Sequence, residues 1–227
     1  SGVTTADASG NGNTGTLVNG PLWTTGKTGG ALDFDGIDDS VNAGSGATLD
    51  NVPALTISAW INPRSKGEGS IGRIVYKRGG AKGWALEISP QGTNRARFIV
   101  DYSSTDLSRS SGDNVFTLNT WQHVALTWDG TSNATGIHMY VNGVEVPSYT
   151  ASANGKGTRV DDAINKLIIG NTDFASATFD GLIDEVRIYN RAVTAQEVAD
   201  LYAGEVSPAP TPTPSPAPSP TPTPTPP

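Results

Sequence analysis

Apolar and polar residues alternate with a period of two along most of this chain, and that period, sustained from Leu32 to Tyr189, predicts strands. Leu55, Ile57, Ala59 and Ile61 alternate with Thr56, Ser58 and Trp60 in a half-buried strand that stops at Asn62-Pro63. Residues 84–88 and 97–102 read likewise, and residues 121–128 and 137–146 make the next pair. The last of these is broken by Asn142-Gly143, the strongest short-range signal for a tight hairpin turn. Residues 166–170 then return to the sheet. Gly, Asn, Asp and Pro punctuate the runs, as in an antiparallel sandwich. One helix is predicted over residues 195–202, where Thr194 and Glu197 form a capping box and Val198, Leu201 and Tyr202 give a small apolar face. Too short to stand alone, it is expected to cover an edge of the sandwich.

Residues 179–189, Phe-Asp-Gly-Leu-Ile-Asp-Glu-Val-Arg-Ile-Tyr, hold a carboxylate within such a strand. Strict alternation puts Leu182, Asp184, Val186 and Ile188 on one face, and Ile183, Glu185, Arg187 and Tyr189 on the other. An inward Asp184 among aliphatics requires a hydrogen-bonding partner, an ion pair or a metal. Two Phe-Asp-Gly segments, at residues 34–36 and 179–181, and the run from Asp7 to Gly15 supply oxygen ligands and tight turns suited to calcium. Ordinary turn chemistry is the competing account of Asp35 and Asp180.

The formal net charge of −7 and the lack of a Lys/Arg cluster argue against a nucleic-acid partner, and no apolar run is long enough to predict membrane insertion. With no cysteine, the chain has no disulfides, thiolate catalysis or Cys-type zinc site. Eleven of the sixteen prolines fall between Pro208 and Pro227, which divides the chain into one globular domain, residues 1–206, and an extended polyproline-type Pro/Thr tail, residues 207–227.

Residues 29–36, 55–61, 121–130, 140–143 and 181–192, with the opening from Asp7 to Gly15, resemble the laminin-G-like, concanavalin-A-like jelly rolls of extracellular multidomain proteins. The resemblance covers Asp7 to Tyr202 and implies an all-β, antiparallel two-sheet jelly-roll sandwich with one short C-terminal helix. It also implies a structural Ca2+ held by Asp7, Asn11, Asn13 and Asp184, with Asp35 the lesser candidate. The related glycosidases carry Glu-x-Asp-x-x-Glu, and no such run exists here, so no enzyme is expected. His123 and His138 read as hydrogen-bonded sheet residues, and Gly10 to Gly15 matches a dinucleotide fingerprint without its strand and helix.

The expected function is a non-catalytic interaction or assembly module, extracellular or at the cell surface. Its tail would dock on neighbouring copies of the subunit or other extracellular proteins, or be glycosylated at Thr211, Thr213, Thr221, Thr223 and Thr225, with Asn133 a further acceptor. The alternative is a carbohydrate-binding module tethered by a linker to a polysaccharide-degrading enzyme. Glycan contact would then fall to Trp60, Trp84 or Tyr102, since sugar rings stack on aromatic faces.

Overall fold

The computed structural model describes residues 3–89 and 91–204. The tail and its threonines lie outside the described residues. Sixteen strands occur among those described: β1 Thr4–Thr5, β2 Gly15–Val18, β3 Leu22–Thr25, β4 Gly30–Asp35, β5 Ser40–Asn42, β6 Leu55–Pro63, β7 Gly72–Arg78 and β8 Gly83–Ile88 in the first half. The second half contributes β9 Ala96–Val100, β10 Leu107–Ser111, β11 Gln122–Trp128, β12 Ile137–Val141, β13 Val144–Glu145, β14 Tyr149–Ala153, β15 Ile168–Ile169 and β16 Asp180–Tyr189. They form a nine-stranded sheet, β1-β2-β5-β15-β7-β8-β9-β10-β14, and a seven-stranded sheet, β13-β12-β11-β6-β16-β4-β3. Every pairing is antiparallel, as the alternation predicts.

The core lies between the sheets. The seven-stranded sheet contributes Phe34, Leu55, Ile57, Ala59, Ile61, Leu126 and Trp128; the nine-stranded sheet contributes Val75, Trp84, Leu86, Ile88, Phe98 and Val100. Trp128 satisfies its indole N–H on the Thr131 carbonyl at 2.8 Å. The predicted hairpin at Asn142-Gly143 joins β12 to β13, both turn residues taking positive φ, of 51° and 78°.

The helix α1, Ala195–Ala203, begins at the expected box: Thr194 Oγ1 accepts from Glu197 N at 3.2 Å, and the Glu197 carboxylate accepts from Thr194 N at 2.7 Å. The Arg191 guanidinium beside it, with the Thr194 donors, holds the Glu197 carboxyl down at about 2. Val198 packs with Val193, Ala125 and Tyr140, which lays α1 over the outer face of the seven-stranded sheet.

One expectation about faces is overturned. In β16 the residue facing the core is Ile183, opposite Ile61, while Asp184 stands opposite Trp60 on the outer face. A bulge between Asp184 and Arg187 then inserts an extra residue, with Glu185 at φ +50°. The alternation resumes out of phase, so Val186 and Ile188 pack on the core while Arg187 and Tyr189 face outward. A strict period of two cannot describe a bulged strand.

Candidate functional site

The two outer faces differ. On the seven-stranded sheet, α1 and an aromatic cluster cover much of the surface. Trp60 lies 5.5 Å from His123 and 5.6 Å from Tyr202 between ring centroids, and the Lys27 ammonium sits 4.5 Å above the indole. His123 Nε2 is 2.8 Å from Ser58 Oγ, and burial, with a smaller contribution from Arg187, pushes the imidazole down to about 4. It is therefore a neutral sheet residue at neutral pH, tied to its neighbour.

Neither α1 nor a third layer of strands covers the nine-stranded sheet. Register places Arg73, Glu87 and Arg97 side by side on β7, β8 and β9, followed by Ser110 on β10 and Ala151 on β14. The Glu87 side chain is 0% exposed; it pairs with Arg73 on one side and with Arg97 Nε at 2.7 Å on the other. The next row carries Ile168, Tyr76, Ala85, Ile99, Ser108 and Ala153. Arg73 lies 5.4 Å over the Tyr76 ring, and burial pushes its guanidinium down to about 10. Burial also lowers Arg97, helped by the like charge of Arg78. At the end of β7, Arg78 grips the buried Asp101 through Nε at 2.9 and 2.8 Å and through Nη2 at 2.6 Å. The result is a row of guanidinium and carboxylate groups beside a mixed row of aliphatic, aromatic and small residues. A pocket of about 260 Å³ opens where this face meets the β7–β8 turn, with Arg78 in its wall.

The expected calcium ligands do not converge. Asp7 accepts from Ser9 Oγ and N and from Asn13 N, and these bonds, the Ser9 hydroxyl first, hold its carboxyl below the usual range. Asn11 donates to Ser9 Oγ within the loop between β1 and β2, and Asn13 donates to Thr48 Oγ1, which ties that loop to the turn after β5. Asp184 belongs to the other sheet, where its carboxylate accepts from Thr28 N at 3.0 Å and Glu185 N at 2.8 Å. The β3–β4 turn lies so close that a Cβ on Gly26 would fall 2.4 Å from Asp184 Oδ2. Nor do the terminal strands pair, since β1 meets only β2. The buried acid thus found backbone donors.

Asp35, Asp38 and Asp39 do converge, with ligand oxygens within 4.8 Å of one another. Asp35 Oδ1 accepts from Ile37 N and Asp38 N, and Asp39 Oδ2 from Asp35 N, which leaves the remaining carboxylate oxygens for a hard cation. Burial raises the Asp39 carboxyl, and the neighbouring negative charges of Asp35 and Asp38 add to the shift.

Of the aromatic candidates, Trp84 is 0% exposed and belongs to the core, so it contacts no ligand. Its alternation with Leu86 and Ile88 was the telling signal. Tyr102 is half-buried against the core and bridges to Arg159. Trp60 is half-buried and committed to Lys27, His123 and Tyr202. Asn133 is exposed, as its sequon expects. The row of Arg73, Glu87 and Arg97 was missed. Each is a charge between apolar or small neighbours on an alternating run, but only the register shows that the three meet.

Residues 34–199 match the family model of the concanavalin A-like lectin/glucanases superfamily, and the chain belongs to that family. It is thus a lectin-like jelly-roll domain. Over 184 residues it is 24% identical to adhesion G-protein coupled receptor V1 of Danio rerio, an alignment covering 76% of this chain and 3% of the receptor. Among solved structures it is similar to the binding domain of Paraclostridial mosquitocidal protein 1, with a TM-score of 0.65 and 17% identity over 87% of this chain and 49% of that one. It is also similar to domain 4 of a GH43 extracellular arabinanase from Geobacillus stearothermophilus in complex with arabinotriose, with a TM-score of 0.59 and 21% identity over 86% of this chain and 91% of that one. These two likenesses show the fold. Among the described residues no helix is long and apolar enough to cross a membrane.

Proposed function

We propose that this domain is a non-catalytic glycan-binding module of an extracellular or surface protein, with sugars lying on the outer face of the nine-stranded sheet. The observation that carries the reading is the row of Arg73, Glu87 and Arg97, the first two buried and the third half-buried, on a face that α1 leaves open. Buried ion pairs are weak devices for stability, since apolar residues of similar volume serve as well or better. Their planar, bidentate groups are well suited to paired sugar hydroxyls. The lectin-like family and the arabinotriose bound by the similar arabinanase domain support the same reading. Glu87 and Asp101 are each locked to arginine, which does not supply the pair of free carboxylates about 5 Å apart that retaining hydrolysis uses. The assembly role expected from the sequence rested on the tail, which is outside the described residues.

The test is a glycan array with the wild-type domain and Arg97→Met, whose long apolar side chain preserves the stem packing. Binding to at least one saccharide class is expected, weakened about tenfold by the loss of a charged donor. Failure to bind any glycan would sink the reading.

A calcium ion is proposed at Asp35, Asp38 and Asp39, whose carboxylate oxygens converge. Thermal unfolding is expected to rise on adding calcium and fall with chelator, by about 4 kcal/mol at a thousand times the dissociation constant. The shift should vanish in Asp38→Ala. Identical melting with and without chelator removes the ion.

A further inference from the structure

Thirteen of the fifteen Lys and Arg side chains are engaged within the described residues. Ten are paired with carboxylates: Arg64, Arg73, Lys77, Arg78, Arg95, Arg97, Arg159, Lys166, Arg187 and Arg191. Lys27 lies on Trp60, Lys66 donates to the Gly92 carbonyl, and Arg109 donates to the Ile137 carbonyl above Tyr149. Only Lys82 and Lys156 have a side chain without an ion pair, hydrogen bond or ring contact among the described residues. Lys82 lines the pocket beside the charged sheet face; Lys156 does not.

Two other walls of that pocket bring exposed apolar side chains together beside this cation. Phe174 is 74% exposed and Ile164 is 75% exposed, and both line it. Neither projects from a slack loop. Thr172 Oγ1 accepts from Phe174 N at 3.3 Å and Ser176 N at 3.3 Å, while Asn171 Oδ1 accepts from Thr172 N at 2.7 Å and Ala177 N at 3.3 Å. Ile164 sits in a turn closed by Asn165 N on the Asp162 carbonyl at 2.9 Å, and Asn165 Nδ2 anchors that turn to the Lys82 carbonyl at 2.7 Å. Backbone fixed on either side of an exposed aromatic ring presents it to a partner at little cost in conformational entropy. The remaining cation, Lys166, is held by Asp173 at 2.9 Å in a pair whose side chains are 46% and 37% exposed. So open a pair is worth little, and a ligand anion can share its ammonium.

We infer that this pocket takes an acidic sugar residue, with its carboxylate or sulfate on Lys82 and Lys166 and its ring against Phe174. The inference rests on the glycan-binding reading and adds the ligand class. In a domain of net charge −7 an anion is repelled at long range, so the attraction must be local, and Lys82 provides it, its ammonium facing only a longer-range attraction from Asp161 and no hydrogen bond or ion pair. The volume of about 260 Å³ admits a single ring, which makes this the terminal subsite of a chain continuing along the sheet toward Arg97.

The intact domain is titrated with neutral oligosaccharides, oligouronates, sialylated oligosaccharides and sulfated oligosaccharides, at low and at high salt. Acidic oligosaccharides are expected to bind more tightly than neutral ones and to weaken with salt. Lys82→Ala and Phe174→Ala should each lose about tenfold, with melting temperatures little changed because Phe174 is exposed and the half-buried Lys82 side chain makes no hydrogen bond or ion pair. A preference for oligouronates and sialylated sugars identifies a carboxylate ligand, and a preference for sulfated sugars a sulfate ester; either upholds the inference. Neutral sugars bound equally well by wild type, Lys82→Ala and Phe174→Ala, but lost in Arg97→Met, overturn it and leave the glycan-binding reading intact. No binding to any of the four classes overturns both.

Discussion

Glu87→Ala is expected to cost about 3–5 kcal/mol of folding stability, because it strands two guanidinium groups that the native sheet holds around one carboxylate. Glu87 is fully buried and Arg73 is 9% exposed, so Arg73 gains little water when the acid is removed, while the half-buried Arg97 is already partly solvated. For a domain of this size that loss lowers the melting temperature by roughly 6–20 °C. The informative companion is the triple variant Arg73→Met, Glu87→Met, Arg97→Met. Removing all three charges removes the desolvation penalty along with the attraction, and apolar replacements of similar volume are commonly neutral or stabilising. The triple variant should therefore melt near or above the wild type and bind no glycan. A triple variant as unstable as Glu87→Ala, with binding retained, would make the row a structural device and move the ligand elsewhere.

How far the sequence could lead depends on which interactions are local. The strand alternation, the Asn142-Gly143 hairpin and the Thr194–Glu197 box are set by residues within a few positions of each other, and the structure has all three. Trp84 was offered as a glycan contact, although the face it shares with Leu86 and Ile88 also allowed the core position it takes. Asp184 was legible as a carboxylate in need of a partner, but not as to its side or its partner. A single extra residue at Glu185 shifts the phase, and of the two donors one comes from Thr28, 156 positions away. The row of Arg73, Glu87 and Arg97 was hidden for a related reason. β7 has its own register shift between Arg73 and Val75, so the alignment of these charges depends on a bulge that composition does not announce. The pocket was out of reach altogether, because Lys82, Ile164 and Phe174 belong to three separate turns.

The second large effect is expected at Asp162, whose buried carboxylate is the anchor of the turn that forms one wall of that pocket. Its Oδ1 lies 3.2 Å from Lys77 Nζ and accepts from Asn51 N at 2.9 Å, while Oδ2 accepts from Arg159 Nη2 at 3.0 Å. The side chains of Lys77 and Asp162 are both 0% exposed, and Asp50 Oδ1 completes the set at 3.0 Å from Nζ. Asp162→Ala deprives two cations of a shared partner and should cost about 3–5 kcal/mol. Asp162→Asn keeps the shape and one acceptor oxygen, so a smaller loss is expected. Because Ile164 and Asn165 follow directly in the same turn, Asp162→Asn should also weaken binding of an acidic oligosaccharide at temperatures well below its own melting point. Stability and affinity are then read on one protein by thermal unfolding and calorimetry. A melting temperature for Asp162→Ala within a degree or two of wild type would show that Asp50 and the Asp162 carbonyl suffice for Lys77. Unchanged affinity in Asp162→Asn would show that the turn keeps its shape without the full charge.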